Sequence, residues 1–374
     1  MTDPGLEPLL TPWERWTRGP DRSSYLLTRF AILRLLGLVY LVAFLTAVHQ
    51  GPGLLGDSGL LPIGNYAAAF DSAWNGFVAQ PSLLWLWPNT TGLLVLSYLG
   101  VLLSLALLLG YANVITLLAL WVLHTSIANM GQLWYAFGWE IQLLETGMLA
   151  VFLVPLWRGS PLSERAPPVV VIFLFRWLIF RIMLGAGLIK LRGDPCWDDL
   201  TCLAYHYETQ PIPNPVSPWL HAMPMWFHKL GVLYNHFVEL AVPVFVFGPR
   251  KVRHVAGMLM LIFQAVLILS GNLSYLNWLT IVPILACFDD SFYRRLVPRS
   301  WRAEVDERRF SAQPTRWGNW MSGGFAVLVA VMSLGPISNL FSSRQAMNTS
   351  FDRLHLVNTY GAFGSVGKAR YEVV

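Results

Sequence analysis

Apolar residues in this chain do not recur three to four apart, as they do on the half-buried face of a soluble helix. They run almost without interruption over the thickness of a bilayer. A membrane core takes about 20 predominantly apolar residues per helix. Windows that meet or approach that length lie at 25–48, 91–110, 112–130, 136–156, 169–189, 230–248, 254–271, 275–288 and 318–341. The eighth, "YLNWLTIVPILACF", is short enough to be re-entrant instead. The pattern predicts an all-α polytopic membrane protein, a bundle of about nine transmembrane helices. Composition agrees: 55% of the 374 residues are hydrophobic and 13% charged, and mean hydropathy is +0.49, well above a soluble domain of this size.

The remaining sequence reads as a cytoplasmic tail over 1–24, a membrane domain over 25–341 and an extracytoplasmic tail over 342–374. The start, "MTDPGLEPLLTPWERWTRG", lacks the basic end, apolar core and small-residue cleavage site of a signal peptide, so the first span reads as an uncleaved anchor. Basic loops stay on the cytoplasmic side. With the N-terminus inside, the inner segments hold Arg15, Arg18, Arg22, Arg158, Arg165, Arg250, Lys251, Arg253 and the seven arginines from Arg294 to Arg316. The outer segments hold Lys190, Arg192, Arg344, Arg353, Lys368 and Arg370. Nine spans then place the C-terminus outside.

That asymmetry accounts for the net charge of +5. No basic face is interleaved with aromatics, so nucleic acid is not an expected partner, whereas the lipid bilayer is. The basic residues are 22 Arg and 4 Lys. This bias suggests a GC-rich bacterial genome and hence a bacterial plasma membrane, with the endoplasmic reticulum membrane as the alternative for a eukaryotic chain.

An ionised side chain at a helix centre costs about 2.5–3.5 kcal/mol on insertion scales, so charges inside spans face the bundle and pair. Arg29, Arg34, Arg176 and Arg181 can meet Glu140, Glu145 and Glu239, most simply as Arg176 and Arg181 with any of the three glutamates. Asn235 and His236 stand four and three residues before Glu239 and share its helix face. Lys190 ends the fifth span after the small run "GAG", where it is either a snorkelling lysine or a partly desolvated base. A catalytic reading would use Lys190 with His236 and Glu239.

The outer loop 190–229 is too polar and proline-broken to span but rich in aromatics, and it is expected to fold against the membrane surface. Trp197, Tyr205, His206, Tyr207, Glu208, Gln210, Trp219 and Trp226 form either an interfacial belt or a binding surface for a client or substrate. Cys196 and Cys202, six apart in a compartment where disulfides persist, are expected to bridge, with a redox-active pair as the lesser reading. Cys287 lies in the eighth span. His206, His221, His228, His236, Asp198, Asp199 and Glu208 show no recognised metal-ligand spacing, and no metal is expected. No phosphate-cradling glycine loop and no G-x-S-x-G elbow occurs, which sets aside nucleotide-driven work and a lipase. Paired halves with matching helix breaks, the mark of many transporters, are not evident either.

The runs "RWLIFRIMLGAGLIKLRGD", "CWDDLTCLAYHYETQPIPNPVSPWLH", "NHFVELAVPVF", "SGNLSYLNWLTIVPILACFDD" and "LHLVNTYGAFGSV" resemble the lipase maturation factor family, as do "DSGLLP" and "GWEIQLLETG". The resemblance implies a membrane-embedded, non-enzymatic chaperone without cofactor, which helps secreted lipases or other exported clients fold and assemble on the extracytoplasmic side. It also implies a strand-rich C-terminal domain, of which "KARYEVV" would be the opening strand. More distantly, "AGLIKL" followed by a tryptophan is similar to the region of the catalytic lysine in vitamin K-dependent carboxylase and its membrane relatives. That likeness implies an alternative enzyme acting on a quinone or bound lipid, with Lys190 as base.

Overall fold

A computed structural model describes residues 25–157, 159, 165–210, 212–311 and 316–368, without the side chains of 309–311. Arg15, Arg18, Arg22, Arg158, Arg370 and all of the expected strand at "KARYEVV" after Lys368 lie outside the described residues.

Helices carry the architecture, and among the described residues no strand forms beyond an isolated antiparallel bridge between Ser350 and Asn358. The principal elements are α1 (Leu26–Leu55), α2 (Thr90–Leu109), α3 (Val114–Met130), α4 (Gly138–Val151) and α5 (Val169–Leu191). They continue with α6 (Met225–His236), α7 (Arg250–Ser270), α8 (Leu276–Ile284), α9 (Arg316–Met332) and α10 (Leu334–Phe341). Six stretches among the described residues are long and apolar enough to cross a membrane: α1, α2, α5, α7, Met225–Phe247 and Arg316–Phe341. The other predicted windows become shorter helices: α3, α4 and α8 with its 3-10 extension Leu285–Cys287.

Local sequence sets several boundaries. Asn89 and Asn113 cap α2 and α3, their side-chain oxygens accepting from the amides of Gly92 at 2.9 Å and Thr116 at 2.8 Å. Beyond α6 the chain passes through a π-turn at Phe237–Ala241 and a 3-10 stretch at Val242–Phe247. Pro243 explains the change: it has no amide hydrogen, and in an α-helix its ring would strike the carbonyl of Glu239. Widening the turn relieves that clash and places Glu239 on an irregular segment, a geometry often found at functional sites.

The two ends of the bundle differ. One end gathers the pieces that do not span: Arg353 donates to Val78 O (2.7 Å), Arg192 to Gln345 Oε1 (2.8 Å) and Gln132 to Leu61 O (3.1 Å). The other end carries the basic segments, where Asp289 lies 3.1 Å from Arg250 and Arg294 is held by Asp306 at 2.7 Å. Asp289 is buried, which alone would raise its pKa. The His254 imidazole 3.4 Å away, the hydrogen bonds from Ser291 and the charge of Arg250 win and hold it well below the usual carboxylate range.

α5 runs through the middle. Val171, Phe175, Leu178, Ile179 and Ile182 are buried on it, and so are Arg176, Arg181 and Lys190. A helix covered on nearly all sides is a core helix even in a membrane, so its charges must find partners from several neighbours.

Candidate functional site

The three cations of α5 lie at three depths, 5 and then 9 residues apart in sequence, about 7 and 14 Å along the axis. Each takes a different kind of partner. Arg176 bonds no carboxylate: its Nε donates to Ala286 O (2.8 Å) and its NH2 to Tyr25 Oη (2.8 Å). The expected pairing of Arg176 with a glutamate is therefore corrected. At that depth the 3-10 end of the eighth span offers a free carbonyl, which satisfies a guanidinium without burying a second charge. Glu140 is likewise not an arginine partner; it lies 3.0 Å from His124 Nε2. Arg34 and Arg29 also end on carbonyls, of Leu107 and Arg165 respectively.

Arg181 meets Glu145 directly and also donates to Asn358 O at 2.6 Å. The other oxygen of Glu145 accepts from the Asn358 amide (3.0 Å), Asn358 Nδ2 (3.0 Å) and Tyr360 Oη (2.7 Å). The run "NTYG" of the tail is thus drawn into the bundle, with Asn358 fully buried and Tyr360 at 4% exposure. Gly185 makes the approach possible, because a Cβ there would stand 2.3 Å from Tyr360 O. Gly187 serves the opposite side, where a Cβ would stand 2.6 Å from Leu240 Cδ2 of the π-turn. The small run "GAG" therefore lets the tail and the π-turn close on the two sides of α5.

Lys190 forms the third level. Its Nζ donates to both oxygens of Glu239, at 2.7 and 2.6 Å, and lies 5.2 Å from the Trp197 ring centroid. Asn235 Nδ2 donates to Glu239 Oε2 at 2.7 Å, as their four-residue spacing suggested. His236 does not join: its Nε2 lies 3.3 Å from Trp197 O and its ring sits edge-on to that indole. One residue of rotation around the helix carries it away from the carboxylate.

Lys190, Glu239, Asn235, Trp197 and His206 line a cavity of about 810 Å³. Its walls come from α4, α5, α7, α8 and the tail, which contributes residues from 343–348 and 360–365. Burial, and after it the charge of Lys190, holds the His206 imidazole down to about 4.

The aromatic loop divides in two. Trp197 is buried and donates to Phe363 O (2.8 Å). Tyr207 is buried against His228 at 5.9 Å, and Gln210 donates to Ser270 O at 3.1 Å. Tyr207 and Gln210 are turned to packing, whereas Trp197 packs under the loop and also lines the cavity. A small loop held by several polar contacts has to bury some of its own aromatic residues to be ordered at all. Tyr205 is half-buried beneath Lys368 Nζ, 5.5 Å from its ring centroid. Trp219, Trp226 and Glu208 are exposed. Cys196 and Cys202 are bridged, with their Cα atoms 4.8 Å apart, which closes the turn that seats Trp197.

Sequence reasoning passed over His124, Gln142, Gln264, Asn277, Thr280, Asn358 and Tyr360. Each of the first five interrupts an otherwise apolar span with a polar group, and that was the available signal.

The family model "Lipase maturation factor transmembrane domain" matches residues 27–295. Lipase maturation factor 1 of Homo sapiens is 48% identical over 96% of this chain and 68% of its own length. The Bos taurus protein of that name is 49% identical over 94% of this chain and 67% of its own length. Lipase maturation factor 2 of Xenopus tropicalis is 37% identical over 72% of this chain and 40% of its own length. This chain therefore spans about two thirds of the first two and less than half of the third. These relatives are vertebrate proteins and lend no support to the bacterial reading of the arginine bias, nor do the comparisons support the carboxylase-like alternative. No solved structure matches. A family model covering most of the described spans, together with relatives matched over nearly all of this chain at almost half identity, establishes that this chain belongs to the lipase maturation factor family.

Proposed function

We propose that this chain is a membrane-embedded maturation factor that assists secreted lipases, or similar exported clients, to fold and assemble. The observation that carries the reading is 48% identity over 96% of the chain to a protein named for lipase maturation. Its place is the endoplasmic reticulum membrane, oriented with the N-terminus in the cytoplasm and the end that gathers 56–89, 192–224 and 342–368 facing the client. That end offers exposed tryptophans at 74, 87, 219 and 226, a residue type that anchors protein contacts. Lys190 has a structural role here: its ammonium spends its donors on both oxygens of Glu239 and is not a free base.

The test is the specific activity of a co-expressed secreted lipase with this chain, without it, and with the Trp219→Ser/Trp226→Ser variant at matched membrane level. Active lipase should rise with the wild-type chain and fall back toward the empty control with the variant. Equal lipase activity with and without the chain would overturn the reading.

A further inference from the structure

The cavity beside Lys190 has a polar interior that the protein leaves unsatisfied. Gln264 is buried, its Nε2 touches only Met183 Sδ at 3.9 Å, and its Oε1 has no hydrogen-bond partner. Whichever way that amide is turned, one of its polar atoms is left over. Asn277, 4% exposed, also lines the cavity, and among the described residues its side chain makes no hydrogen bond. Gln142 and Thr280 stand beside it, joined at 3.2 Å. Buried polar groups are ordinarily paired, so an unsatisfied amide acceptor within the wall of a cavity and a complete second amide in the same wall mark a place for a partner from outside the chain.

The surroundings define that partner. Ile182, Met183, Phe263, Leu267 and Leu276 supply apolar walls. Most belong to helices apolar enough to lie in a bilayer. The interior amides are uncharged; of the charges that line the cavity, Lys190 and Glu239 cancel each other, and Arg192, Asp194 and Arg344 belong to the outer loop and the tail. A carboxylate or phosphate among the amides of α7 and α8 would have no cation from those two helices in the cavity wall. A hydroxyl would meet both an acceptor and a donor. A volume of about 810 Å³ suits one lipid-sized molecule, since ligand pockets run to about 300–1,000 Å³.

We propose that this cavity binds an uncharged lipid with a free hydroxyl, of the acylglycerol or sterol class. The hydroxyl sits between Gln264 and Asn277, and the hydrocarbon lies along α5, α7 and α8. The site is separate from the exposed tryptophans and does not depend on the client reading.

Native mass spectrometry of the full chain in phosphatidylcholine nanodiscs tests it, with dioleoylglycerol, a monoacylglycerol, a sterol, oleic acid and the O-methyl ether of dioleoylglycerol as probes. One hydroxylated lipid should bind saturably with a stoichiometry of one. The ether and the Gln264→Leu/Asn277→Leu variant should each bind about tenfold more weakly or less. Ala186→Trp or Leu267→Trp, whichever keeps the wild-type melting temperature, should abolish binding by filling the space. Equal binding of the ether, saturable binding of oleic acid alone, no saturable binding of any probe, or displacement only by an apolar client peptide would each overturn the proposal.

Discussion

Two buried ion pairs hang from α5, and they do different work. In Arg181–Glu145 the carboxylate is shared: besides the arginine it takes three donors from Asn358 and Tyr360, so the pair latches the tail into the bundle. Lys190–Glu239 is closed on itself with one helper, Asn235, and borders a cavity. A charge pair in a membrane protein can thus be a structural latch or the neutralised wall of a site. Counting what else the carboxylate holds separates the two cases.

Breaking the latch should give the largest effect. Glu145→Leu leaves Arg181 buried without its countercharge and frees three donors of the tail. Removing one partner of a buried pair costs about 3–5 kcal/mol, so little folded protein should survive extraction. The double variant Glu145→Leu/Arg181→Met should recover only in part, because the Asn358 backbone amide and the Tyr360 hydroxyl remain without their acceptor. Full recovery in thermal unfolding of the purified protein would show that the tail gains nothing from Glu145.

The same double-substitution logic should end differently at the second pair. Lys190→Met alone should destabilise by about 1–3 kcal/mol, less than the first pair because the carboxylate keeps Asn235 and borders open space. Lys190→Met/Glu239→Leu should return close to wild type, as replacement of a whole buried pair by apolar side chains often does. A double variant no more stable than the single would mean that Glu239 holds something beyond Lys190, and the contrast between the two pairs would dissolve.

Legibility in the sequence follows the range of the forces. The spans are readable because bilayer thickness acts on every residue of a window. Asn235 with Glu239 is readable because four residues are one helical turn. The partners of Arg176, Arg181 and Lys190 are not, since they depend on the rotation and depth of separate helices, which no window records. Arg176 finds a backbone carbonyl, an acceptor that every residue possesses and that sequence cannot single out. The tail was hardest: "NTYG" reads as loop composition, and only Glu145 and Gly185, more than 170 residues earlier, explain its burial. The aromatic loop was half readable, because exposed Trp219 and buried Trp197 look alike until the disulfide turn and Phe363 O are in place.

The smallest effect should come from pH, through two histidines that burial holds below their ordinary value, His206 at the cavity and His355 in the tail. A histidine in an unfolded chain takes up its proton near 6.5, whereas His206 in the folded protein, half-buried and beside Lys190, stays neutral down to about 4. Its folded-state value is lowered, so the stability it contributes is complete above about pH 6.5 and is lost as pH falls toward 4, where the unfolded state binds the extra proton. Wild type should therefore melt lower at pH 5 than at pH 7.5, and His206→Gln should reduce that drop by an amount on the order of 2 °C. An identical drop in both proteins would place the pH sensitivity elsewhere. If instead the His206 variant is flatter and His355→Gln removes the slope that is left, the cavity wall and the tail each respond to protons through one buried imidazole, and the two regions are separated in a second observable.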